Sequence, residues 1–177
     1  MRKRPVAIRS NEAAQDGVRA HENRPVNVLV AGIPTPSLLE MIRSRHSGEL
    51  NLYVAESRPY EGEVARAIPE LLASGVSVSI VTDNMIAALI ETVPIQEVWS
   101  QYLENDGECA TAINGAHMAA LLARASGIPF LLCPIPGLAP GGSGLFAGED
   151  ITVPGAATIA WEPDIIPLEL VSEVVEP

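Results

Sequence analysis

A doubly wound α/β domain with a mostly parallel sheet is what three features of this chain predict. Apolar, β-branched runs recur along it: Val26–Ala31, Leu50–Ala55 and Val76–Val81. Segments of helical spacing separate them. Polar clusters directly follow two of the runs, Glu56-Ser57-Arg58-Pro59 after the second and Thr82-Asp83-Asn84-Met85 after the third. Strands covered on both faces read as unbroken aliphatic runs, parallel neighbours need long, usually helical crossovers, and open α/β sheets place their ligand sites beyond the carboxyl ends of the strands.

Each element can be justified in turn. Val26–Ala31 is the first buried strand, Pro34 and Pro36 break the chain after it, and Ser37 is placed to cap a helix carrying Leu38, Leu39, Met41 and Ile42, which Gly48 ends. After the second strand, Gly62 to Ala73 forms an amphipathic helix with Val64, Ala67, Ile68, Leu71 and Leu72 on one face; Pro69 predicts a kink or a late start, and Gly75 is the expected C′ residue. Asp83 caps a short helix through Ile90. A weak fourth strand is expected over Val93–Trp99, a long Ala-rich helix over Gly107–Ala125 and a fifth strand over Pro129–Cys133. A loop with five glycines follows, Gly137 to Gly148; Ile151 to Ala160 reads as extended, and Pro167 opens a final helix, Leu168–Val175, at the N1 position that suits proline. Residues 1–24 are polar, charged and weakly periodic. The expected organisation is a disordered basic tail followed by a single Rossmann-like domain over 25–177, its sheet flanked by helices.

Composition excludes several classes. The net charge of −11 conceals an asymmetry: six of the 11 basic residues fall in the first 24 positions, and from Pro25 onward five arginines face 19 acids. So acidic a body repels a nucleic-acid backbone. Lys3 is the one lysine in the sequence, which removes Schiff-base chemistry from the body. No apolar run reaches the roughly 18 residues of a membrane span, and the N-terminus has no secretory h-region, so a cytoplasmic protein is expected. Cys109 and Cys133 belong to no metal-ligand spacing and read as free thiols; His21, His46 and His117 are scattered. Neither a metal nor a cofactor is expected.

The candidate site residues are Glu56, Arg58, Asp83, Asn84 and Glu108. Arg58 at a strand end suits a phosphate or carboxylate held bidentately, or an internal ion pair with Glu56. Asp83 and Asn84 suit sugar hydroxyls or a proton shuttle, and equally an Asx turn and helix cap. Glu108, at the start of the expected long helix, suits an acid–base role beside an anion-binding N-terminus or a simple dipole interaction. Gly141-Gly142-Ser143-Gly144 lacks the lysine of a phosphate loop, and Leu145 breaks the nucleophile-elbow pattern, so it reads as a flexible loop or lid. Trp99 and Trp161 read as packing residues.

These strings occur in the order and spacing of a known family. Val28-Leu29-Val30, Ser37-Leu38-Leu39-Glu40, Tyr53 to Pro59, Thr82 to Met85, Asp106-Gly107-Glu108, Gly127-Ile128-Pro129-Phe130 and Trp161 to Leu170 together resemble the C-terminal domain of the translation initiation factor 2B α/β/δ superfamily. That superfamily includes methylthioribose-1-phosphate isomerase and ribose-1,5-bisphosphate isomerase. The resemblance covers about residues 26–176. It implies a Rossmann-like fold, dimerisation through this domain, a helical domain preceding it, and interconversion of an aldose 1-phosphate and a ketose 1-phosphate by a cysteine and an aspartate. The sequence departs from the pattern where the chemistry lies. The loop of the family cysteine is Ala31-Gly32-Ile33-Pro34; the Gly-Ala-Asp-Arg string matches Trp99-Ser100-Gln101-Tyr102, with Gln101 at the aspartate; the family's Asn-Lys pair falls at Thr111-Ala112. Gln101 cannot do acid–base work near neutral pH. The expectation is a divergent domain that binds a small phosphorylated sugar or nucleotide-like ligand at the strand ends without isomerase chemistry. Two alternatives stand beside it: a sugar-phosphate isomerase rebuilt on Glu56, Asp83 or Glu108, and a non-catalytic or regulatory subunit. A homodimer, or assembly with a separate helical subunit, is the expected partnership.

Overall fold

In the computed structural model, which describes residues 25–58, 60–135 and 163–176, β1 (Val26–Val30) is the strand around which the others are laid. It pairs in parallel with β2 (Leu50–Ala55) on one side and with β4 (Glu97–Asn105) on the other, and β3 (Ser77–Val81) continues outward from β2. Beyond β4, β6 (Phe130–Pro134) and β8 (Glu173–Val174) extend the parallel array. Two antiparallel strands complete the eight: β5 (Cys109–Ala112) on the upper part of β4, and β7 (Asp164–Pro167) on β5. The sheet is mostly parallel and mixed, as expected. The chain winds outward from β1 to β3 and then returns to β4, so the winding reverses between β1 and β4.

The period-2 alternation of each strand sorts its side chains onto two faces. Val28, Val30, Trp99 and Leu131 pack under α1 (Pro36–Arg45) and α2 (Glu61–Ala73). Leu29, Val98, Phe130 and Leu132 pack under α3 (Ile86–Thr92) and α4 (Ala116–Ser126), where Ala116, Ala119, Ala120 and Ala123 let the helix approach the sheet closely. Helices therefore cover both faces. Thr35, not Ser37, caps α1: its Oγ1 accepts from Leu38 N at 3.2 Å, and Pro36 occupies the first turn. Helix α2 runs through Pro69, and Leu72 lies exposed, off the buried face that Val64 and Leu71 define.

Three expected elements are corrected. The long helix over Gly107–Ala125 is a hairpin followed by a shorter helix. Asn105 Oδ1 accepts from Gly107 N at 2.9 Å, Asp106 Oδ1 accepts from Glu108 N at 2.8 Å and Cys109 N at 2.7 Å, and Gly107 sits at φ +90°. This Asp-Gly turn closes the β4–β5 hairpin before any helix can start, and Gly115 at φ +89° then breaks β5 from α4. The fourth strand accordingly runs over Glu97–Asn105 instead of Val93–Trp99. The final helix over Leu168–Val175 is a single 3₁₀ turn, Leu168–Leu170, between β7 and β8. Ser172 N and Val175 N donate to Phe130 O and Leu132 O, so the edge of β6 captures this β-branched segment. The expected tail (1–24), glycine loop (137–148), extended segment (151–160) and Trp161 lie outside the described residues. No helix among the described residues is long and apolar enough to cross a membrane.

At the amino end of β4 the fold buries one carboxylate. Glu97 Oε2 accepts from Trp99 Nε1 at 2.8 Å and lies 3.0 Å from His46 Nε2; Glu97 Oε1 takes Arg45 Nε at 3.3 Å, and Arg45 reaches on to Glu173 of β8 and stacks over Trp99. Burial works against the charge on Glu97, but the hydrogen bonds from Trp99 and His46 and the neighbouring His46 and Arg45 outweigh it and hold the carboxyl below its ordinary value of 4.5. A carboxyl whose value is depressed on folding adds stability that is complete above the ordinary value and is lost as pH falls through the depressed one. Glu97→Gln should thus cost about 2 kcal/mol at pH 7. Urea titrations of both proteins should show that gap narrowing below pH 4.5; a gap that widens on acidification contradicts the assignment.

Candidate functional site

The reversal of winding leaves β1 and β4 diverging, and the hydrogen bonds locate the divergence. Ala31 N donates to Trp99 O at 2.8 Å; two residues further along the same edge of β4, Gln101 O accepts from Ile113 N at 3.3 Å instead. Between these bonds β1 leaves the sheet and β5 takes its place. The departing Ile33 N–H donates to Gln101 Oε1 at 2.9 Å. Gly32 makes that approach feasible: a Cβ there would stand 3.0 Å from Gln101 Oε1. Around the same point Ser100 Oγ donates to Ala31 O at 2.5 Å, Ser57 Oγ lies 3.4 Å from Gly32 O, and Tyr60 Oη donates to Asn114 Oδ1 at 2.8 Å. Tyr60, Ile113 and Ile135 form a small apolar cluster there, with Ile33 and Leu103 against it. Burial pushes the Tyr60 phenol up, reinforced by Asp164, and pushes the Cys133 thiol up to about 12, with Glu176 adding to it. Both groups are neutral donors near pH 7, and Cys133 is no nucleophile there.

Beside this point the two polar clusters singled out in the sequence meet. Parallel pairing of β2 with β3 brings Ala55 opposite Val81, so the following turns lie side by side. Asp83 joins them: Oδ1 accepts from Ser57 N at 2.8 Å and Oδ2 from Arg58 N at 2.9 Å. It neither caps its own helix nor stands free as a base. The clamp holds Ser57 at φ +53°, a left-handed conformation unusual for a residue with a Cβ. Glu56, Arg58, Thr82, Asp83 and Asn84 line an open cleft of about 310 Å³. Arg58, 60% exposed, pairs with Glu56 at 3.2 Å and Glu61 at 3.9 Å, contacts that raise its already high pKa. Asn84 Oδ1 accepts from Thr82 Oγ1 at 2.7 Å.

Four of the five candidates, Glu56, Arg58, Asp83 and Asn84, thus share one cleft. Glu108 is not among its lining residues. It lies exposed in the β4–β5 turn, not at a helix N-terminus, with its carbonyl taking Leu168 N at 2.9 Å. Among the described residues no cluster of three or more His, Cys, Asp or Glu could hold a metal ion. Gly32, Ser57, Tyr60 and Gln101 contribute to the site beyond the five candidates. The signal available for Gln101 is an amide that, with Ser100, interrupts the apolar residues Val98, Trp99, Tyr102 and Leu103.

Comparison with known proteins agrees with this architecture. The sequence profile described as the initiation factor 2 subunit family matches residues 10–135. Methylthioribose-1-phosphate isomerase of Syntrophobacter fumaroxidans is 26% identical over 144 residues, which is 71% of this chain and 41% of that protein. The corresponding isomerase of Exiguobacterium sibiricum is 37% identical over 83 residues, 46% of this chain and 24% of that protein. The chain therefore spans less than half the length of these curated relatives. Among solved structures, the delta subunit of translation initiation factor eIF-2B from A. fulgidus superposes with a TM-score of 0.67 at 17% identity, covering 86% of this chain and 52% of that one. The 5-methylthioribose 1-phosphate isomerase of Pyrococcus horikoshii superposes with a TM-score of 0.57 at 17% identity, covering 88% and 51%. At that identity the likeness speaks for the fold alone.

Two substitutions test the geometry. Asp83→Ala removes both acceptors from the Ser57–Arg58 turn and should cost about 2–3 kcal/mol in chemical denaturation. Gly32→Ala forces Gln101 or β1 to shift and should cost about 1–3 kcal/mol; a neutral Gly32→Ala would show that the approach of Gln101 to β1 is not a constraint.

Proposed function

The chain belongs to the initiation factor 2 subunit family, and we propose that within it this domain binds a small phosphorylated sugar or nucleotide-like ligand at the carboxyl ends of β1 to β4 without isomerising it. The observation that carries this reading is the state of the acids. Both oxygens of Asp83 are occupied by backbone N–H groups, and position 101, where the family pattern has its aspartate, holds an amide. The amide cannot move a proton near neutral pH, and Asp83 is engaged in holding the Ser57–Arg58 turn. Arg58 supports anion binding: it lines the cleft, and a phosphate can replace Glu56 and Glu61 as its partner. Glu108 has no part in this reading, since the hairpin carries it away from the cleft lining.

The subunit reading draws on a different feature. Ile80 on the outer strand β3, Leu72 on α2 and Met85 in the turn after β3 are large, apolar and more than half exposed. A second copy of the chain or a helical partner would cover them. The two free cysteines fit a reducing compartment such as the cytoplasm.

Calorimetric titration with ribose 1-phosphate and methylthioribose 1-phosphate, with turnover followed in the same samples, decides among these. Saturable binding without conversion is expected, weakened about tenfold by Arg58→Ala, a loss in the range of one charge-assisted hydrogen bond. Conversion that Asp83→Asn abolishes would overturn the non-catalytic reading. No binding at all, together with a stable complex with a partner chain, favours the subunit.

A further inference from the structure

Gln101 has a second consequence, which follows from the side of its amide that β1 does not use. The residue is completely buried, and its Nε2 is the one buried side-chain nitrogen or oxygen among the described residues without a hydrogen-bond partner. Its orientation is fixed by chemistry: the atom that faces Ile33 N–H at 2.9 Å must be an acceptor, so it is the oxygen, and the nitrogen is the other. The polar groups nearby are engaged elsewhere. Ser100 Oγ donates to Ala31 O, the Cys133 thiol donates to Ser100 O, Ser57 Oγ lies 3.4 Å from both Gly32 O and Ala55 O, and Gln101 O takes Ile113 N. An unpartnered N–H group is rarely left inside a protein. Here it sits where the winding of the sheet reverses, which is where open α/β sheets bind their ligands.

We propose that Gln101 is the specificity-determining residue of this site, and that its Nε2 donor selects a ligand presenting an acceptor-only oxygen, a carbonyl or carboxylate, over one presenting an alcohol at the same place. The inference rests on the ligand-binding reading above and narrows it. Away from β1 Gln101 presents its Nε2 donor, because its oxygen is turned to Ile33 N–H. A carbonyl oxygen accepts from Nε2 and leaves nothing unpaired. An alcohol also accepts, but its own proton then needs an acceptor that Gln101 cannot supply, and a buried unpaired hydroxyl is disfavoured. The phosphate end of the same ligand would lie toward the neighbouring cleft lined by Arg58. The turn that carries Arg58 is the turn whose Ser57 hydroxyl meets Gly32 O, one residue from the N–H that holds Gln101.

Ribulose 5-phosphate and ribitol 5-phosphate make the matched probes, since they differ only in a ketone or an alcohol at C2. Calorimetric titration of the full chain should show the ketone binding about tenfold more tightly. Gln101→Glu, measured at pH 8, keeps an acceptor for Ile33 N–H but replaces the donor with oxygen, and should abolish that preference. Gln101→Met removes the donor, and the acceptor of Ile33 N–H with it, without adding charge, and should likewise abolish the preference. Far-ultraviolet circular dichroism establishes that each variant is folded; the wild-type comparison stands without either. Equal binding of the two probes by wild type, or a ketone preference that survives in a folded variant, overturns the role of Gln101 and leaves the ligand-binding reading intact. Binding of neither probe, or of any other sugar phosphate, overturns both.

Discussion

One change of partner governs the upper half of this domain: β4 gives the carbonyl of Trp99 to Ala31, just past β1, and the carbonyl of Gln101 to Ile113, just past β5. A parallel sheet that winds outward in one direction and then in the other must open somewhere, and here it opens between those two bonds. Below, β1 is enclosed by β2 and β4 and its Val28, Leu29 and Val30 are fully buried. Above, the chain after β1 must leave, so its peptide groups need partners outside the ladder. Gln101 provides one for Ile33, and Ser100 provides one for Ala31. The buried polar residues of β4 are therefore the means by which the sheet divides without stranding backbone donors and acceptors.

The acids of the body follow the same logic. In a chain with five arginines against 19 acids after residue 24, cations cannot serve every carboxylate. Several are placed on backbone or ring N–H groups, alone or together with cations. Asp83 takes two backbone N–H groups, Asp106 takes two more, and Glu97 takes the indole of Trp99 along with His46 and Arg45. Because fixed N–H groups serve as partners, the carboxylates work as clamps on turns and on the sheet foot.

How much of this is legible in the sequence depends on the range of the interaction. Val26–Ala31, Leu50–Ala55 and Val76–Val81 announce themselves because burial on both faces leaves an aliphatic run, and Gly62 to Ala73 does so because its apolar face repeats at helical spacing. The Ala-rich stretch after Gly107 misleads because alanine fits helix and close-packed strand alike; the deciding signal is the local Asp106-Gly107 turn, which outweighs propensity. The last segment misleads for a non-local reason: Val171, Val174 and Val175 become extended because the edge of β6 is available to them. At the site, the pairing of the two polar clusters is foreseeable from β2 and β3 being neighbours. That Asp83 would reach across to Ser57 and Arg58 is not, since an aspartate before a helix has a local use of equal plausibility.

The Ser57 turn shows why the cleft and the crevice belong to one structure. A left-handed serine costs on the order of 1 kcal/mol or more and persists only where its surroundings over-determine it. Asp83 fixes its N–H, and its hydroxyl lies within 3.4 Å of both Gly32 O and Ala55 O. The first contact binds it to the outer cleft, the second to the departing end of β1, which Gln101 holds in turn. An anion drawing Arg58 from Glu56 would act on the residue next to Ser57, and an acceptor meeting Gln101 would act on the residue next to Gly32. The two ends of a bound molecule would thus meet in a single strained turn, and rigidity there favours ligands whose two polar ends are correctly spaced over those with only one of them.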